Sequence, residues 1–82
     1  MNSIDPDLYA RCLAELAAAR RKAGISQAAL AKRFGRPQSF VAKFESSERR
    51  LDVAEFLVIA AALGVDPTKL LKSAMVAPTK RR

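Results

Sequence analysis

The stretch QAALAKRFGRPQSFVAKFES, from Gln27 to Ser46, decides the fold. Its apolar residues recur at helical spacing on both sides of Gly35, which predicts two short helices joined by a tight turn. Two helices that cross steeply need a small residue at the crossing and a glycine with positive φ in the turn. Ala31 and Gly35 meet these needs. The expected inner face of the pair consists of Leu30, Phe34, Val41 and Phe44.

The residues before this stretch predict one more helix. Asp5 suits an N-cap, and Pro6 suits the first helical position because its missing N–H costs nothing there. Gly24 ends this helix, Ser26 caps the second, and Pro37 suits the start of the third. We expect these three helices over about residues 6–23, 27–34 and 37–46.

The residues after the stretch predict a fourth and a fifth helix. Asp52 and Glu55 form a capping-box pattern at the start of the fourth helix, and Gly64 ends it. A second Asp-Pro pair, at 66–67, starts the fifth helix, which we expect to fade from residue 73. The fourth helix is expected to cover the core with Val53, Phe56, Ile59, Ala60 and Leu63.

Length and composition allow one small domain. Half of the residues are hydrophobic, which is too many for a disordered chain, and four prolines and three glycines supply too little turn chemistry for a β-sandwich. A bundle of helices fits both facts. We expect a compact all-α, five-helix domain over residues 1–73 and a short basic tail over residues 74–82.

The positive charge is concentrated in one part of the chain. The formal net charge is +7, and residues 20–50 alone hold nine Lys and Arg against two Glu. Three further basic residues stand at 80–82. A basic sector of this kind is the electrostatic pattern of a protein that binds a polyanion.

Several functional classes lack the residues that they need. With Cys12 as the one cysteine and no histidine, the chain has no internal disulfide and no usual set of zinc ligands. Its carboxylates are scattered and no glycine-rich phosphate loop is present, so we expect no enzyme activity, cofactor or small-molecule ligand. The longest apolar run, Phe56 to Leu63, is far shorter than the ~20 residues that span a bilayer. We therefore expect a cytoplasmic protein without a membrane partner.

From about Leu13 to Leu71 the chain resembles the Cro- and repressor-type (XRE-like) helix-turn-helix family. The resemblance implies a lambda-repressor-like domain that binds double-stranded DNA at specific sequences and regulates transcription as a repressor. The residues that match the family pattern are Arg20, Gly24, Ile25, Ser26, Gln27, Leu30, Ala31, Phe34, Gly35, Ser39, Val41, Phe44, Glu45, Ala60, Leu63, Gly64 and Val65.

The chain departs from the family pattern at a few positions around the third helix. Arg36 stands where an aliphatic residue is usual, and Phe40 stands where a small polar residue is usual. Ser46 and Ser47 replace the usual Asn-Gly after the helix, which removes the two residues best suited to left-handed backbone geometry.

The resemblance implies that the third helix is a recognition helix that enters the major groove. Gln38, Ser39 and Lys43 would then face base edges, because glutamine can pair with adenine and lysine can donate to guanine. For Phe40 two alternatives stay open: contact with a thymine methyl group, or packing against the first two helices.

The resemblance also implies contacts to the DNA backbone and one internal ion pair. Arg20 and Glu45 occupy positions that pair across the first and third helices in the family, and Gln27 would contact a phosphate and brace the recognition helix. The candidate phosphate contacts are Gln27, Arg36, Ser46, Arg49 and Arg50.

The fourth helix is apolar nearly all round, and one buried face does not account for this. A second stripe, made of Leu51, Ala54, Val58 and Ala61, is expected to form the interface of a symmetric homodimer. Such a dimer would bind a pseudo-palindromic operator with half-site centres about 10 base pairs apart. The alternative is that the fifth helix and the segment Met75–Val76 cover the stripe.

Two other functions fit the same fold. The protein could be an antitoxin whose DNA binding controls its own expression, or the controller of a restriction–modification system. The sequence does not separate these functions from that of a repressor.

Overall fold

The helix boundaries come from a computed structural model that describes residues 5–76. The elements are α1 (Pro6–Lys22), α2 (Gln27–Lys32), α3 (Gln38–Glu45), α4 (Val53–Ala62) and α5 (Pro67–Met75). The predicted all-α, five-helix fold is confirmed: every regular element in the described range is a helix. None of these helices is both long enough and apolar enough to cross a membrane.

Four of the helices begin at the predicted N-cap residues. Asp5, Ser26, Asp52 and Asp66 each accept a hydrogen bond from a backbone N–H in the first turn of α1, α2, α4 and α5. At α4 the capping box is complete, since Glu55 also accepts from the N–H of Asp52 at 3.0 Å. These bonds satisfy N–H groups that have no partner within the helix.

Three helix ends differ from the prediction. Pro37 is the N-cap of α3 rather than its first helical residue, because its ψ of 159° is extended. α2 ends at Lys32, before Phe34, since the turn closes early with a hydrogen bond from the N–H of Arg36 to the carbonyl of Ala31. α5 continues to Met75, past the expected fading point.

The extra turn of α5 has a packing reason. Ala74 is buried, and its carbonyl accepts a hydrogen bond from Nε of Arg11 on α1 at 2.9 Å. Residue 74, where we expected the tail to begin, is therefore part of the packed α1–α5 contact. Residues 77–82 of the predicted tail lie outside the described residues.

The core forms where α1, α2, α3 and α4 meet. Ala31 is fully buried at the crossing of α2 and α3, as expected from its size. The predicted position of Val53 in the core is wrong: its side chain is 76% exposed. The buried stripe of α4 is rotated away from it, so that Val53 and Leu57, one turn later, fall at the edge. The residues of α4 and its C-cap that enter the core are Phe56, Ile59, Ala60 and Leu63.

The loop after α3 keeps left-handed geometry without glycine. Ser47 has φ of 67°, in the position that Gly35 takes after α2. Its N–H donates to the carbonyl of Phe44, and the N–H of Glu48 donates to that of Lys43, which is the Schellman pattern of a helix end. A serine in this geometry costs about 1 kcal/mol more than glycine.

Ser47→Gly is therefore expected to stabilise the protein by about 1 kcal/mol, which raises the melting temperature by roughly 4–8 °C. Ala23→Gly is the control, since Ala23 closes α1 with an ordinary φ of −77°. Thermal unfolding followed by circular dichroism measures both variants. Equal effects of the two substitutions would contradict the assignment of strain to Ser47.

Candidate nucleic-acid interface

The outer face of α3 carries the side chains that the sequence assigned to base contact. Gln38, Ser39 and Lys43 are exposed, while Val41 and Phe44 on the opposite side have no accessible surface. The buried side packs mainly against α2. The outer side of α3 therefore presents three polar side chains to solvent, while its inner side is buried in the core.

The predicted ion pair between Arg20 and Glu45 is present and largely shielded from water. Nε of Arg20 lies 2.6 Å from Oε2 of Glu45, and Nη2 donates to Oε1 at 3.1 Å. The two side chains are 11% and 9% exposed. The remaining nitrogen, Nη1, donates to the carbonyl of Ile25 at 2.8 Å. One guanidinium thus ties α3 to α1 and to the loop before α2.

A chain of glutamines extends this pair to the start of α3. Nε2 of Gln27 donates to Oε1 of Glu45 at 2.9 Å, and Oε1 of Gln27 accepts from Nε2 of Gln38 at 2.7 Å. Because a carboxylate only accepts, Glu45 fixes which end of the Gln27 amide faces it, and Gln27 then fixes the Gln38 amide. Gln27 thus connects Glu45 at the end of α3 to Gln38 at its start.

The pKa of Glu45 shows that this network favours the charged carboxylate. Burial on its own raises the pKa, but the hydrogen bonds from Arg20 and Gln27 outweigh burial and hold the pKa below its ordinary value. Glu45 therefore stays ionised and keeps its bonds to both partners at neutral pH.

Phe40 lies on the flank of α3 that faces α4. Its ring meets that of Phe44 edge-on, with centroids 5.6 Å apart, and it is half-buried against the core. The guanidinium carbons of Arg36 and Arg49 lie 5.0 and 4.9 Å from the Phe40 ring centroid. This placement favours packing over contact with a thymine methyl group. Residues of α4, among them Ala54, Val58 and Ile59, line the same surface pocket as the ring.

Arg49 forms an ion pair with Glu55, which the sequence analysis did not predict. Its guanidinium makes two hydrogen bonds to the carboxylate of Glu55, at 3.0 and 3.3 Å, and donates to the carbonyl of Arg50. Glu55 is the capping-box residue of α4, and the pKa of Glu55 is lowered by the hydrogen bonds from Arg49 and from the N–H of Asp52. Sequence reasoning missed this ion pair, because it joins a loop residue to the first turn of the next helix and no local spacing rule covers that.

The other predicted phosphate contacts lie at the two ends of α3. Arg36 is exposed in the turn before the helix, and Ser46 is exposed at its end. The Ser46 hydroxyl lies 3.1 Å from the carbonyl of Lys43 and 2.9 Å from a carboxylate oxygen of Glu48. Arg50 lies over the ring of Tyr9, with its guanidinium carbon 5.0 Å from the centroid.

Three of the four residues in the predicted second stripe of α4 are exposed to solvent, and one is not. Ala54, Val58 and Ala61 are exposed, whereas Leu51 is half-buried against the core. The alternative that α5 and the segment Met75–Val76 cover the stripe does not hold among the described residues, since Val58 is 54% exposed. The exposed face of α4 contains no charged side chain. It consists of Val53, Ala54, Leu57, Val58 and Ala61.

The comparisons with known proteins agree with this geometry. The model of the helix-turn-helix family matches residues 16–70. Among solved structures, an XRE-family like protein from Pseudomonas syringae pv. tomato str. DC3000 is 49% identical, with 84% of each chain covered and a TM-score of 0.77. A search of curated proteins gave no match.

Glu45→Ala is expected to lower the free energy of unfolding by about 3–5 kcal/mol, because it leaves the guanidinium of Arg20 buried without its counter-charge. Glu48→Ala is the control, since it removes the same charge from an exposed position just after α3 and should cost less than about 0.5 kcal/mol. Urea denaturation gives both values. A Glu45 variant as stable as the Glu48 variant would show that the ion pair does not hold α3 in place.

Proposed function

The chain belongs to the XRE-type helix-turn-helix family, and on that basis we propose that it represses transcription by binding double-stranded DNA, with α3 in the major groove. The observation that carries the proposal is the exposed face of Gln38, Ser39 and Lys43 on a helix whose position is fixed by a buried ion pair. This face lies within the most basic part of the chain.

The contacts of Gln38 suit it to read adenine. Its Nε2 already donates to Gln27, which leaves a second N–H on that nitrogen and orients the amide oxygen. Adenine offers an acceptor at N7 and a donor at N6 in the major groove, so one glutamine amide can bond to both. Lys43 lies more than one turn further along α3 and would donate to guanine O6 or N7.

The phosphate contacts would flank the recognition helix. Arg36 precedes α3, and Arg49 and Arg50 follow it, so that cations stand at both ends of the base-reading face. Gln27 at the start of α2 and the Ser46 hydroxyl would add polar contacts to the backbone. Such contacts set affinity and register, whereas the outer face of α3 sets sequence preference.

We further propose that the protein binds DNA as a symmetric homodimer through α4. Two copies with a net charge of +7 each repel one another, and a contact surface without cations adds least to that repulsion. The exposed face of α4 is such a surface, and it includes Val53 and Leu57 in addition to the expected Ala54, Val58 and Ala61. The operator would then be a pseudo-palindrome with half-site centres about 10 base pairs apart.

Base-contact and phosphate-contact variants should differ in how they change sequence preference. Gln38→Ala and Lys43→Ala are each expected to weaken binding by about 1–3 kcal/mol at particular base pairs, whereas Arg36→Ala should weaken all sequences about equally. Selection from random duplexes, followed by affinity measurements on single-base variants, gives these profiles. If all three variants lose affinity uniformly, the outer face of α3 does not read bases.

Val58→Glu is expected to convert the dimer into a folded monomer, since it places two carboxylates against each other at the two-fold axis. Ala14→Glu, at an exposed position of α1, adds the same charge outside the α4 face and should leave the dimer intact. Sedimentation equilibrium measures the mass of each variant. A Val58 variant that sediments as a dimer would place the interface elsewhere.

A further inference from the structure

Two departures from the family pattern meet in the structure. Arg36, where an aliphatic residue is usual, lies with its guanidinium carbon 5.0 Å from the ring centroid of Phe40, where a small polar residue is usual. Arg49 approaches the same ring to 4.9 Å from the other end of α3. Two cations that are 13 residues apart in sequence therefore converge on one aromatic side chain.

The Phe40 ring is itself held in place. It is half-buried against the core and meets the ring of Phe44 at an interplanar angle of 75°. Phe44 is completely buried. A ring fixed in this way can hold a guanidinium in one position, because its π-system attracts the cation.

The two arginines beside the ring differ in their ionic partners. Glu55 pairs with Arg49 at 3.0 Å and Asp52 lines the same surface pocket, whereas Arg36 makes no salt bridge among residues 5–76. Arg36 is exposed, at the start of the base-reading face. Guanidinium groups bind phosphate oxygens through two parallel N–H donors, so this arrangement suits an anion of that shape.

We propose that Phe40 is a positioning residue, which holds Arg36 and Arg49 as a paired clamp for a DNA phosphate beside α3 and does not read a base. This inference rests on the proposed function.

The test is the salt dependence of affinity for a mixed-sequence duplex of about 20 base pairs, measured by fluorescence anisotropy. Each phosphate contact contributes about 0.9 to the slope of log affinity against log salt. Phe40→Leu keeps an apolar side chain but removes the ring, so the slope should fall by about 0.9 and affinity at about 100 mM salt should fall roughly three- to tenfold. Phe40→Tyr keeps the ring and should restore the wild-type slope.

Phe34→Leu is the matched control, because it removes a half-buried ring that packs against the same core. It should lower the melting temperature without changing the slope. In the Phe40→Leu background, Arg36→Ala should change affinity much less than it does in the wild type, since the two residues act together. If Phe40→Leu unfolds, Phe40→Met fills the site with a flexible apolar side chain and takes its place.

The outcomes separate this inference from the proposed function. A folded Phe40→Leu or Phe40→Met variant with the wild-type slope would overturn the clamp and leave Phe40 as core packing. If Phe40→Leu instead relaxes the preference at one base pair and leaves the slope unchanged, the clamp is also overturned and Phe40 contacts a base. If the wild-type protein itself shows no salt-dependent affinity for the duplex, the proposed function fails and the clamp fails with it.

Discussion

The ion pair between Arg20 and Glu45 is the contact on which the rest of the interface depends. Removing two charges from water is costly, and their mutual attraction repays that cost only when the remaining donors and acceptors also find partners. Here the guanidinium bonds to a carboxylate and a backbone carbonyl, and the carboxylate receives a further bond from Gln27. The pair therefore adds little net stability but allows one orientation of α3 relative to α1. The position of Gln38 follows from that orientation through Gln27.

A second polar contact links the start of α4 to the Phe40 side chain on α3. Glu55 caps the start of α4 and also binds Arg49, whose guanidinium lies over Phe40 on α3. The same carboxylate thus fixes the start of the proposed dimer helix and one proposed phosphate contact. A dimer formed through α4 would hold two recognition helices at a set spacing, because α4 and α3 are connected through this short path and through the core.

The sequence was informative wherever structure depends on near neighbours. Signals within a few residues predicted the caps at Asp5, Ser26, Asp52 and Asp66, and these caps are confirmed. The predicted inner face of the α2–α3 pair is buried at Leu30, Val41 and Phe44, whereas Phe34 is half-buried. The Arg20–Glu45 pair was implied by family resemblance rather than by local pattern.

Features that depend on how the helices pack against one another were not predicted from the sequence. Periodicity did not show that α4 is rotated to expose Val53, nor that Ala74 is buried against α1. The convergence of Arg36 and Arg49 on Phe40 joins three separate positions, and no local rule predicts it.

The central claim is that the outer face of α3 reads base edges in the major groove. The most direct test uses the wild-type protein and an operator obtained by selection, in which adenine and guanine are replaced one at a time by their 7-deaza analogues. This change removes the N7 acceptor from the major groove while base pairing and the phosphates remain. We expect affinity to fall about fivefold or more at the positions read by Gln38 and Lys43 and to change little elsewhere. Unchanged affinity at every 7-deaza position would contradict reading of the major groove by α3.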